Sequence, residues 1–283
     1  QGTIHNGSAS ATVVGQSTDS YQIGGLVGFN TNAGASGGNV TSSTATGSVT
    51  GGNIVGGLIG KHDGDVLNTS GATGAVSGTD SVGGFVGSNA GRINATYAHG
   101  DVTGNDTVGG LIGLNYDAVN QSFSTGAVTA TNVSHTDVGG LVGNSTSSGV
   151  EHRTYWDTDA SGQSSGFGSQ TGNATGLTTA EMTGGSAETN MANLSFPGTW
   201  VTTDDYPTLR NHVTGLDLSV PESSITAGET TTVTTTLSLS GGRIQTATTV
   251  AAYSSSDAAV ATADAGTISG EGEGSASITA SHA

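Results

Sequence analysis

The chain has 283 residues, 49 of them glycine and none cysteine, with 22 Asp+Glu against 5 Lys+Arg and a formal net charge of −17. Five basic residues, Lys61 the single lysine among them, exclude a nucleic-acid or anionic-membrane surface, which needs clustered Lys/Arg. The absence of cysteine excludes disulfides, thiolate catalysis and Cys-ligated zinc, and no run approaches the roughly 18 apolar residues of a membrane span.

From the N-terminus, one hexapeptide recurs five times: Ile23-Gly-Gly-Leu-Val-Gly28, Val55-Gly-Gly-Leu-Ile-Gly60, Val82-Gly-Gly-Phe-Val-Gly87, Val108-Gly-Gly-Leu-Ile-Gly113 and Val138-Gly-Gly-Leu-Val-Gly143. The intervals are 32, 27, 26 and 30 residues. Between copies come an Asn- or Gly-bearing turn, a short Ile/Val segment and a second glycine-marked stretch such as His99-Gly-Asp-Val-Thr-Gly104. Each unit reads as three strand-length pieces punctuated by Gly and Asn. So small a unit buries no apolar face alone. Stacked about 4.8 Å apart, however, such units align Val on Val and Leu on Leu in columns. Glycine suits corners where φ is positive or where the backbone passes close to the next coil. Collagen would need Gly every third residue, a propeller blade about 40 residues, and disorder explains no β-branched column. The pattern predicts a parallel β-solenoid (β-helix) over 1–156, with Leu26, Leu58, Phe85, Leu111 and Leu141 in one column.

These motifs resemble the GLUG repeat of large secreted surface proteins and adhesins. The resemblance covers roughly residues 1–212 and implies extracellular, cell-surface display and repetition, with no catalytic residues. Asn stands two positions after Gly28, Gly87 and Gly113, but not after Gly60 or Gly143.

Residues 157–212 follow, beginning next to Tyr155 and Trp156 and holding Phe167, Phe196, Trp200 and Tyr206. They read as an aromatic capping segment that closes the solenoid's open edge, with Leu177–Met182 its one helical turn; sugar binding through Trp156 or Trp200 is the alternative. From Val213 the glycine motifs give way to Thr/Ser/Val alternation. Strands are expected at 216–220, 230–239, 248–254 and 275–279, with turns at Ala227-Gly228, Gly241-Gly242 and Gly270-Glu-Gly272. Ser255-Ser-Asp-Ala-Ala-Val-Ala-Thr262, Gly266-Thr-Ile-Ser269 and Gly272-Glu-Gly-Ser-Ala-Ser-Ile278 are similar to group-2 bacterial Ig-like domains. That resemblance implies an Ig-like β-sandwich over 213–283 lacking its last strand.

The chain begins partway through a coil at Ile4, without initiator Met, signal peptide or anchor. The expectation is therefore a processed or partial chain, or one whose open ends are filled by further copies through strand addition, giving a head-to-tail filament. Partners are thus copies of itself or other surface proteins, and glycans, with no nucleic acid and no membrane insertion.

A charge of −17 costs little when molar salt shortens the Debye length to about 3 Å, and carboxylates keep a surface hydrated. The acidity points to an extreme halophile, archaeal in origin. Asn-x-Ser/Thr occurs ten times, at Asn6, Asn39, Asn68, Asn94, Asn105, Asn120, Asn132, Asn144, Asn173 and Asn193. With 17 Asn in the chain, about five would arise by chance, so the excess marks N-glycosylation. The seven His are scattered and read as surface residues. For metals the acidic pairs Asp63/Asp65, Asp157/Asp159, Asp204/Asp205 and Glu271/Glu273 are the candidates, Asp157 and Asp159 first, for calcium; no other cofactor is implied. Taken together, the residues predict a non-enzymatic, glycosylated structural or adhesive surface protein. The alternatives are a viral tail-fibre or receptor-binding protein and a polysaccharide-acting solenoid enzyme.

Overall fold

The computed structural model describes residues 2–16, 21–31, 38–132, 137–146, 149–170 and 172–282, and the chain forms two compact units, Gln1–Thr179 and Ala180–Ala283. The first unit is a parallel β-solenoid. Its strands stack into an 11-stranded sheet, a 6-stranded sheet and two 5-stranded sheets, and every pairing in them is parallel.

One coil shows the path. The chain runs through Ile54–Gly56, Ile59–Asp63, Val66–Ala72 and Val76–Ser77, then enters the next coil at Ser81–Gly83. A coil therefore has four strands, not the three expected. The difference lies in the hexapeptide, which is not one strand: Ile54–Gly56 and Ile59–Asp63 belong to different sheets, and the chain turns between them at Gly57 and Leu58.

The expected leucine column forms. Leu26 N donates to Leu58 O, Leu58 N to Phe85 O, Phe85 N to Leu111 O and Leu111 N to Leu141 O, at 2.8 to 2.9 Å. From Leu58 onward its side chains are fully buried in the main core. A second core is made of valines: Val49, Val76, Val102 and Val128 lie in register on one sheet, facing Val55, Val82 and Val108 on another.

Glycine and positive φ part company here. A left-handed bend recurs in six successive coils, inside the strands Val66–Ala72 and Arg92–Ala98 at Thr69 and Ala95 and between paired short strands at Asn6, Ser42, Gln121 and Arg153, with φ between 45° and 56°. None of these is glycine, and none of the repeat glycines has positive φ. Close approach is what the repeat glycines serve. A Cβ on Gly87 would lie 2.7 Å from Val55 N and 2.8 Å from Gly60 O, backbone atoms that cannot move aside. The corner glycines Gly74, Gly100 and Gly126 would each drive a Cβ into the carbonyl of the preceding coil's glycine.

The ladders do not end at Trp156. Phe167–Ser169 pairs with Val142–Ser145, and Ala174–Leu177 pairs with Thr154–Asp157, adding strands that no repeat motif marks. Trp156 joins the main core because Gly166 and Gly176 leave room for its ring: a Cβ on either would come within 2.8 Å of indole carbons.

The second unit is antiparallel. Trp200–Val201 pairs with Thr208–Leu209, and three sheets follow. Val213–Ser219, Thr234–Leu239 and Ile244–Thr246 make one, Thr230–Thr232, Thr267–Gly270 and Ala261–Asp264 the next, and Ala252–Ser255 with Ile278–Ser281 the last. The expected strand 230–239 is split at Val233, which donates to Gly266 O. The expected strand 248–254 starts only at Ala252 because the Asp204 carboxylate captures the N–H groups of Thr248 and Thr249, both at 2.8 Å. Asp204 N also donates to Thr246 O, which ties residues 180–212 to this unit. Helical structure exceeds the single turn expected, with short helices at Thr158–Ser161, Thr179–Met182 and Ser186–Asn190. Among the described residues no helix is long and apolar enough to cross a membrane.

Candidate functional site

Two polar columns run through the solenoid, one buried and one at its surface. The buried one consists of the Asn residues that follow the hexapeptides. Asn30, His62, Asn89, Asn115 and Ser145 occupy successive rungs in register. Asn30 Nδ2 lies 2.9 Å from His62 Nδ1, Asn89 Nδ2 donates to Asn115 Oδ1 at 2.8 Å, and Asn115 Nδ2 donates to Glu151 Oε1 at 2.8 Å. Ser145 Oγ donates to the same Glu151 oxygen at 2.7 Å. Buried amides are tolerated when each finds a partner on the next rung. The two copies that lack Asn in sequence thus hold His62 and Ser145 in the same column. His62 is fully buried, not a surface residue, and its Nε2 meets no hydrogen-bond partner. Burial disfavours the imidazolium and lowers its pKa to about 4. His212 is also buried, and His135 lies outside the described residues.

The surface column is built from sequons. Thr41, Asn68, Asn94, Asn120 and His152 are in register. Asn94 Nδ2 donates to Asn68 Oδ1 and Asn120 Nδ2 to Asn94 Oδ1, each at 2.9 Å. Three of the ten sequon asparagines therefore stack as a ladder at half-buried positions. Asn6, Asn105, Asn173 and Asn193 are exposed, while Asn39, Asn132 and Asn144 are half-buried, the last donating to Asp137 Oδ2 at 2.8 Å.

Asp157 is fully buried and caps the helix Thr158–Ser161. Its Oδ1 accepts from Asp159 N and Ala160 N at 2.9 Å, and its Oδ2 accepts from Thr179 Oγ1 at 2.7 Å. Asp159 Oδ2 accepts from Thr179 N. Calcium takes six to eight oxygens, and carboxylates already engaged by backbone donors do not fit that demand. Among the described residues no group of three or more His, Cys, Asp or Glu side chains could hold a metal ion. Trp156 and Trp200, 8% and 0% exposed, are core residues and offer no face on which a sugar could stack.

Parallel coils, a dry Leu/Val interior and stacked polar columns define the first unit as a β-solenoid carrying sequons on its surface. Residues 19–50 match the family described as the GLUG motif. Over 90 residues, 31% of this chain, the sequence is 43% identical to a protein named Halomucin from Haloquadratum walsbyi (strain DSM 16790 / HBSQ001). The match covers 1% of that protein's length, so this chain is similar to a very small part of it. No solved structure matches the chain.

Proposed function

We propose that this chain is part of an extracellular surface glycoprotein of a halophile, in which the solenoid acts as a rigid, hydrated, non-enzymatic stalk that displays N-glycans. The observation that carries the proposal is the combination of a backbone locked rung to rung with a net charge of −17 and exposed sequons at Asn6, Asn105 and Asn173 in the first unit, with Asn193 exposed in the second. The match to Halomucin, a protein of Haloquadratum, supports the same reading. In the second unit, residues 213–283 form the Ig-like spacer of this proposal, supported by their antiparallel sheets.

Glycans fit the exposed sequons better than the ladder. Successive ladder rungs are only about 4.8 Å apart, too close for sugars on each of Asn68, Asn94 and Asn120. Protease treatment of intact cells, followed by glycopeptide mass spectrometry, tests the proposal. It should release peptides of this chain and find sugar at the exposed sequons, with the ladder asparagines largely bare. Peptides recovered only after lysis, or without glycan throughout, would contradict it.

A further inference from the structure

The solenoid's surface is dominated by Ser, Thr, Gly and Asp, yet its exposed aromatic residues gather at one place. Tyr21 and Tyr116, 65% and 43% exposed, line a groove of about 610 Å³ together with Ile54 and Leu114. Phe29, also exposed, lies beside it with its ring centroid 5.1 Å from Lys61 Nζ. Phe29, Lys61, Ser88 and Leu114 occupy consecutive rungs of one sheet, so the groove follows the stacking direction for about 14 Å at about 4.8 Å per rung.

Its polar groups lie between the aromatics. Lys61 Nζ is held 2.7 Å from Asp63 Oδ2, and Asp63 Oδ1 is buried without a hydrogen-bond partner. Asp80, Ser81, Ser88 and Ala90 complete the lining. Burial and the Asp106 carboxylate push the Asp80 pKa upward.

The chemistry narrows the occupant. One ammonium set against the Asp63 and Asp80 carboxylates repels a polyanion. Ile59–Asp63 and Val86–Asn89 beneath the groove are hydrogen-bonded to strands on both sides, so a peptide could extend this sheet only along an end strand, Val27–Thr31 being the nearer, and not along the floor of the groove. What remains is a ligand with apolar ring faces for the tyrosines and hydroxyls for the carboxylate, ammonium and serine groups between them. We infer that this groove binds a segment of neutral polysaccharide, with Tyr21 and Tyr116 stacking on sugar rings and Lys61, Asp63 and Ser88 bonding ring hydroxyls. The inference goes beyond the stalk proposal and does not depend on it, since the groove needs neither surface display nor the chain's own glycans.

The test is calorimetric titration of the whole chain in molar NaCl with neutral hexasaccharides of glucose, mannose and galactose, and with an oligogalacturonate as the anionic comparison. At least one neutral hexasaccharide should bind, and the anionic one should bind far more weakly. Tyr21→Ala and Tyr116→Ala should each weaken binding about three- to tenfold, while Ile244→Ala, exposed in the second unit, should leave it unchanged. Thermal melts of the tyrosine variants should match the parent, because both side chains are largely outside the core. Failure of all three neutral sugars to bind, equal binding of the oligogalacturonate, or binding that survives the double tyrosine variant would overturn the inference. So would self-association that Tyr116→Ala abolishes in sedimentation, which would give the groove to a second copy of the chain.

Discussion

His62 sits where neighbouring coils place Asn30 and Asn89, and its neutral form is the one the buried column accommodates. Its folded pKa of about 4 lies below the ordinary 6.5, so between these values the unfolded chain binds a proton that the folded chain does not. Stability from this site is complete above about pH 6.5 and is lost as pH falls toward 4, by up to about 3 kcal/mol. His62→Asn, which restores the column's usual residue, should flatten the pH dependence of the melting temperature between pH 6.5 and 4 relative to the parent. An unchanged slope would show that the imidazole does not titrate with folding. The sequence marks this position only as a missing Asn after Gly60, and a lone His is no signal of burial until the register is known.

At the scale of the coil, the hexapeptide made the Leu26-to-Leu141 column legible, because identical spacing forces identical side chains into register. Leu111 is fully buried within it, and Leu111→Ala should cost about 2–5 kcal/mol by chemical denaturation. Near-neutral stability would mean that the column is not a dry core. The left-handed bends were not legible, since Asn6, Ser42, Thr69, Ala95, Gln121 and Arg153 share no side-chain chemistry and the backbone alone makes them equivalent. Ala95→Val places a β-branched residue at φ 52° and should destabilise by more than about 2 kcal/mol. Gly87→Ala should cost about 1–3 kcal/mol by overpacking against backbone, although φ at Gly87 is not positive. If Ala95→Val were tolerated and Gly87→Ala were not, close approach alone would govern the coil. The added strands at Phe167–Ser169 and Ala174–Leu177 escaped the sequence for the same reason as Ile244–Thr246 and Ala261–Asp264: three or four residues show no alternation. Asp204 is a further case, as its carboxylate holds Thr248 and Thr249 out of the expected strand, which starts only at Ala252.

At the scale of the molecule, the interior and the surface answer to different conditions. The Leu and Val columns are held by burial, which molar salt strengthens or leaves intact. The 22 Asp+Glu against 5 Lys+Arg leave most carboxylates without a basic partner, and their repulsion grows as the Debye length lengthens from about 3 Å at 1 M to about 10 Å at 0.1 M. Composition alone made this legible, whereas the groove lined by Tyr21 and Tyr116 was not, because those residues come to one groove only once the coils are stacked. The proposed halophile surface role requires a solenoid that stays folded in molar salt and loosens as salt is removed. Thermal unfolding followed by circular dichroism from 3 M to 0.1 M NaCl tests it most directly. The melting temperature should fall steadily as salt is removed; a constant melting temperature across that range would rule out the proposed adaptation to salt.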